Sequence, residues 1–196
     1  MLLESPKLLA QTRRLDYYPT HNYYKCSIDR VYEECPSIRF IFDCINSYQL
    51  LTKTKKYVYV DVKTHILKEG ECPGLQNWHV DVTNHPLHEE VPHNLLWISN
   101  GPFTQFLADS YYIEDKYLPQ LNKKNQYNWD ALISQLSYDY GWRFQNIQEN
   151  AIYSYTNAFH RPTYWLLPGI TVRTLVRVTE TNIYLPSTIK EIKWKN

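Results

Sequence analysis

The chain has 196 residues, with 21 Lys and Arg against 20 Asp and Glu and a formal net charge of +1. That length suits one domain with a core of its own, and the near-neutral charge gives no electrostatic case for a protein that coats duplex nucleic acid, which takes clustered Lys and Arg. No stretch approaches the roughly twenty apolar residues of a spanning helix, and Met1-Leu-Leu-Glu-Ser-Pro lacks the charged start and apolar run of a leader, so a cytoplasmic protein without membrane contact is expected.

The first fifty residues are mixed. A polar, tyrosine-rich entry runs from Asp16 to Lys25, and after Ser37, a residue type that caps helices, apolar residues recur at helical spacing and predict a helix from 37 to 51. From Lys56 to Leu67 the pattern alternates: Tyr57, Tyr59, Asp61 and Lys63 share one face and Val58, Val60 and Val62 the other, as in a strand with one buried face. Asn94 to Asn100 and Thr104 to Ala108 read as strands separated by the Asn100-Gly-Pro turn. Asn128 to Tyr140 reads as a short helix with Gly141 at its stop. Strand character returns in Ala151 to Asn157, Tyr164 to Leu167 and Thr171 to Thr179, with Pro168-Gly169 turning between the last two.

The abundance of aromatics, 18 Tyr and 6 Trp beside 5 Gly, fits strands, because aromatic rings pack well on pleated surfaces. A mainly β protein with flanking helices is expected, as a single domain over 1–196: a helical and loop support over 1–55, a β core over 56–182 and a C-terminal extension over 183–196. Cys26, Cys35, Cys44 and Cys72 lack the paired spacing of zinc ligands and are expected as buried thiols.

His79 and Asp81 lie two apart in Asn77-Trp-His-Val-Asp, so on an extended backbone the imidazole and the carboxylate project from one face. His160, before a proline and a strand bearing two arginines, is placed to add a third ligand. Two histidines and one carboxylate leave coordination positions open, the arrangement suited to Fe(II) enzymes that bind cosubstrate and dioxygen together. Arg173 and Arg177 share one strand face with Thr171, Leu175 and Thr179, while Val172, Val176 and Val178 face away. No acid in that segment pairs both arginines, so a dicarboxylate held by a bidentate fork would satisfy them.

The stretch from Leu67 to Asp81, followed by His160 and then by Arg173 and Arg177, resembles the Fe(II)/2-oxoglutarate-dependent dioxygenases of the double-stranded β-helix (jelly-roll, cupin-like) fold, over residues 57 to 180. The resemblance implies His79, Asp81 and His160 as iron ligands and catalytic residues, with 2-oxoglutarate as cosubstrate. It implies Arg173 or Arg177 gripping the distal carboxylate of 2-oxoglutarate, since both follow His160 at a fitting distance; we favour Arg177 there and Arg173 for the proximal carboxylate or the substrate. It implies oxidation of a small-molecule or nucleobase-type substrate by dioxygen, coupled to decarboxylation of 2-oxoglutarate to succinate. Asn77, Tyr155 and Asn157 are the expected supports of the ligands.

His85, His88 and His93 fall in a polar stretch expected as a solvated connector, with a lid over the site as the sharper alternative. His21 and His65 are expected as surface or satisfied residues and Trp78 as a core or rim aromatic. Two further classes stay open beside the oxygenase: a non-enzymatic module sequestering a small anion with Arg173, Arg177 and tyrosines, and an assembly protein with a tyrosine-rich contact surface.

Overall fold

Alternating residues become antiparallel sheet in the computed structural model, which describes residues 2–74, 76–81, 91–114, 133–134, 141, 143–156 and 158–192. In chain order the elements are β1 (Leu2–Leu3), β2 (Lys7–Gln11), β3 (His21–Cys26), α1 (Ile28–Glu34), α2 (Arg39–Ser47), β4 (Tyr57–Lys68), β5 (His93–Ile98) and β6 (Thr104–Leu107). There follow β7 (Tyr111–Tyr112), β8 (Phe144–Asn146), β9 (Ala151–Tyr155), β10 (His160–Pro162), β11 (Ile170–Thr181) and β12 (Thr188–Glu191). Seven strands form one sheet in the order β12-β3-β4-β11-β5-β9-β2, three form another in the order β10-β6-β8, and β1 pairs with β7.

The long pair β4 and β11 sets the frame, in unbroken antiparallel register from Ile170 opposite Lys68 to Thr181 opposite Tyr57. Its valine face, Val60, Val62, Val176 and Val178, is buried with Leu95, Trp97 and Ile152 against Val31, Ile38, Ile41, Phe42 and Ile45 from the helical segment. Each such side chain contributes about 1.5–3 kcal/mol on full burial, before the entropy of ordering it. The opposite face of the large sheet meets the small one, where Leu96, Ile98, Ala151, Tyr153 and Tyr155 cluster with Phe106 and Ile147. The mainly β expectation holds, but β4 is covered on both faces rather than one: Asp61 on its second face is 2 % exposed.

The helical segment begins earlier and ends sooner than apolar spacing predicts. Ser27 caps α1, its Oγ accepting from the Arg30 amide at 3.3 Å. Ser37 caps nothing; it is buried in a 3-10 turn over Pro36–Ile38 that leads into α2. The helix expected to reach 51 stops at Ser47 because Gln49 adopts φ +51°. The amides of Gln49 and Leu50 then bond back to the carbonyls of Asn46 and Ile45, the paired closure of a left-handed C-terminal cap.

Tyr164 to Leu167, expected as a strand, is irregular: Trp165 exchanges backbone bonds with Gly70 and Glu71, and Leu166 and Leu167 are exposed. Proline on either side, at 162 and 168, limits how far ladder bonding could extend there. The helix expected over 128–140 lies outside the described residues except for Ile133 and Ser134, which are helical. No helix among the described residues is long and apolar enough to cross a membrane.

Candidate metal centre

His79 and His160 form a hydrogen-bonded antiparallel pair: the His79 amide donates to the His160 carbonyl at 3.1 Å and the His160 amide to the His79 carbonyl at 3.0 Å. Directly opposed residues on neighbouring strands project from the same face, which brings their ring centroids within 4.3 Å. Asp81, two residues beyond His79, joins them, and the three ligating atoms lie within 4.8 Å of one another. The expected His-x-Asp and distal His therefore converge, with two imidazoles and a carboxylate fit to hold a metal ion.

The backbone fixes which ring nitrogen is free. Nδ1 of His79 lies 2.9 Å from the Asn77 carbonyl and Nδ1 of His160 lies 3.0 Å from the Ala158 carbonyl. A carbonyl oxygen only accepts, so each Nδ1 carries the proton and each Nε2 keeps its lone pair for an ion. Burial pulls the His160 imidazole down to about 4, which favours the neutral form that ligates.

Asp81 is braced on both oxygens. Tyr155 donates to Oδ2 at 2.6 Å, and Arg177 Nη1 donates to Oδ1. Burial opposes the charge on Asp81, yet Arg177 and the two histidines outweigh it and hold the carboxyl well below its ordinary range. Asn77 acts through its carbonyl, and Asn157 lies outside the described residues, as do His85 and His88. His93 belongs to no connector or lid: it stands on β5 with Nδ1 2.6 Å from Glu180. Trp78 is a core aromatic, packed on Phe144 with Arg161 over its ring.

The two arginines differ in a way that strand spacing alone does not disclose. Arg177, favoured from the sequence for the dicarboxylate, has its fork engaged: Nη2 reaches Asp61 Oδ2 at 2.7 Å while Nη1 holds Asp81. Its acid comes from the next strand, because Asp61 lies directly opposite Arg177 in the β4–β11 register. Arg173 is 1 % exposed, and among the described residues its bonds go to neutral oxygens, from Nε to the Pro102 carbonyl at 2.7 Å and from Nη2 to Thr104 Oγ1 at 2.9 Å. Without a carboxylate partner, burial pulls even this guanidinium down to about 10. A buried charge in this state is costly unless an anion is supplied.

Arg173 shares a cavity of about 310 Å³ with His79, Asp81 and His160, lined also by Lys63, His65, Gly74, Tyr155 and Arg177. His65, expected as a surface or satisfied residue, lies directly opposite Arg173 on β4, and its Nδ1 is buried without a partner among the described residues. Burial, then the Arg173 charge, pull the imidazole down to about 4, so the ring is neutral and can present an N–H to a ligand. The sequence signal for His65, Lys63 and Asp61 was their shared face on β4, which is the face lining the cavity.

No protein-family model matches the chain, and no curated protein matches it.

Proposed function

We propose that the protein is an Fe(II)- and 2-oxoglutarate-dependent oxygenase built on a double-stranded β-helix. Support for the fold comes from strand order. Within the large sheet β4, β11, β5 and β9 are neighbours; in the small sheet the segment at His79 bridges β10, which continues through β6 to β8. From β4 to β11 the chain passes back and forth between four neighbouring strands of the large sheet and the small sheet with its His79 bridge, an order that supports a jelly roll.

The observation that carries the function is Arg173: a fully buried guanidinium with no carboxylate partner among the described residues, lining the same cavity as a His-Asp-His triad. A dicarboxylate supplies what both features lack, an acid for the fork and a chelating end for the ion. His79, Asp81 and His160 would hold the iron, and Arg173 with His65 and Thr104 the distal carboxylate. Arg177 and Tyr155 orient Asp81. When bound, the ion would supply the redox chemistry that couples dioxygen and 2-oxoglutarate to oxidation of a small-molecule or nucleobase-type substrate, releasing succinate and carbon dioxide.

Anaerobic titration of the metal-free protein with Fe(II) and 2-oxoglutarate tests this by the weak visible charge-transfer band of the chelated cosubstrate. The band is expected in the wild type, absent in His79→Ala, and shifted to at least about tenfold higher 2-oxoglutarate in Arg173→Met, the loss of a charge-assisted fork. No Fe(II) uptake and no band would leave a β-helix that binds a small anion or assembles with other chains.

A further inference from the structure

We propose that the edge of the large sheet beside the metal cavity is a phosphate-binding subsite, in which Lys63 and Lys190 hold an anionic group of the substrate at the ring of Tyr24. The assignment of a substrate to this edge rests on the oxygenase reading; the anion site itself does not.

Tyr24 on β3 carries two ammonium groups: Lys63 Nζ lies 5.8 Å and Lys190 Nζ 5.5 Å from its ring centroid. Both distances are within cation–π range, so the ring gathers the two charges instead of letting them disperse into solvent. Lys63 also lines the metal cavity, whereas Lys190 stands exposed on the edge strand β12, so the pair runs from the cavity to open solvent. Neither lysine forms an ion pair among the described residues. The carboxylates whose charge reaches Lys63 are Asp61 and Asp81, and both are held by Arg177, Asp61 by Lys25 as well. Glu191, next to Lys190, points to the other face of β12 by strand alternation.

The charge balance of the cavity points the same way. Among the described residues, Lys63, Arg173 and Arg177 of the lining, with Lys25 behind them, stand against Asp81 of the lining and Asp61, which Lys25 and Arg177 share. A divalent ion and a doubly charged cosubstrate cancel one another, so both surplus positive charges persist in the loaded site, and Lys190 adds a third at the rim. Lys63 is the cavity cation left with no task in holding the metal or the cosubstrate. Donor chemistry favours the anion: two ammonium groups are point charges with rotatable donors, suited to a tetrahedral phosphate, while the planar fork that matches a carboxylate belongs to Arg173 inside.

Calorimetric titration of the full metal-free chain with inorganic pyrophosphate at low ionic strength tests the subsite. One saturable site is expected, weakened about tenfold or more in Lys63→Met and in Lys190→Met, the loss of one charged contact. Affinity should hold in Lys7→Met, on β2 at the far edge of the sheet, while Arg173→Lys reports any pyrophosphate that enters the inner cavity instead. Lys190 is exposed, so its variant folds and keeps the test decisive if Lys63→Met does not. No saturable binding to the wild type, equal loss in Lys7→Met, or loss confined to Arg173→Lys would each overturn the subsite. The Fe(II) and 2-oxoglutarate band, followed in the same variants, separates the two readings: a band without pyrophosphate binding removes the subsite alone, and pyrophosphate binding without a band removes the oxygenase alone.

Discussion

Arg177 and Asp61 face each other across β11 and β4, joined at 2.7 Å, and through them the charge on Lys25 of β3 is linked to Asp81 in the candidate metal centre. Burial pushes the Asp61 carboxyl up, but Arg177 and then Lys25 outweigh it and hold it at about 2, below the ordinary 3.8. A carboxyl depressed by folding contributes stability above its unfolded value and loses it as pH falls through the folded one. Asp61 should therefore remove about 2 kcal/mol of stability as pH falls from 3.8 towards 2. Urea unfolding across that range checks it, and Asp61→Asn should lose this part of the acid dependence. At neutral pH the same variant should cost about 3 kcal/mol, since it leaves Lys25 facing an amide. An identical acid slope in the variant would assign the effect to another carboxylate.

Tyr155 is expected to tune the metal without holding the fold. Its hydroxyl donates to Asp81 at 2.6 Å, while its ring packs edge-on against Phe106 and His160. Tyr155→Phe keeps the ring and deletes the bond, so metal affinity should fall about 10- to 100-fold with the urea midpoint nearly unchanged. Titration with Co(II) reads this, and unaltered affinity would mean that Arg177 alone orients Asp81.

Glu180 ties the loop after the helices to β11. It is 1 % exposed and accepts from the amides of Thr52 and Lys53 at 2.8 and 2.7 Å, with His93 at 2.6 Å. Burial raises its pKa, but these bonds outweigh burial and lower it on balance. Glu180→Ala strands two amides and should lower stability by about 3 kcal/mol, read by urea unfolding at neutral pH. A change under about 0.5 kcal/mol would mean that water replaces the carboxylate.

Local pattern disclosed β4, β5, β6, β9 and β11, because alternation and turn residues act within a few positions of one another. It disclosed His79 and Asp81 as a pair for the same reason. What it did not disclose is set by register: that Asp61 occupies Arg177, that Arg173 is left without an acid among the described residues, and that His65 and Lys63 line the cavity. The short strands before Ser27 also escaped notice, since β2 is largely exposed and carries little apolar period. Gln49 gave no glycine signal for the end of α2, though its left-handed backbone closes the helix there.

The loop over 100–103 holds Arg173 in place, and Gly101 lets it come close enough to do so. Gly101 has φ +97°, and a Cβ there would stand 3.2 Å from Arg173 Cβ and 3.5 Å from Thr171 Cγ2, next to the Pro102 carbonyl that accepts from Arg173 Nε. Gly101→Ala combines a backbone penalty with a collision against β11, whereas Gly70→Ala, at φ +80° with open space around it, carries the backbone penalty alone. Each should lose about 1 kcal/mol or more of stability, Gly101→Ala the larger amount. Only Gly101→Ala should also weaken 2-oxoglutarate in the Fe(II) titration, because the Arg173 fork moves with its carbonyl partner. Equal losses of stability in the two variants, with 2-oxoglutarate affinity untouched, would show that the loop gives way without disturbing Arg173.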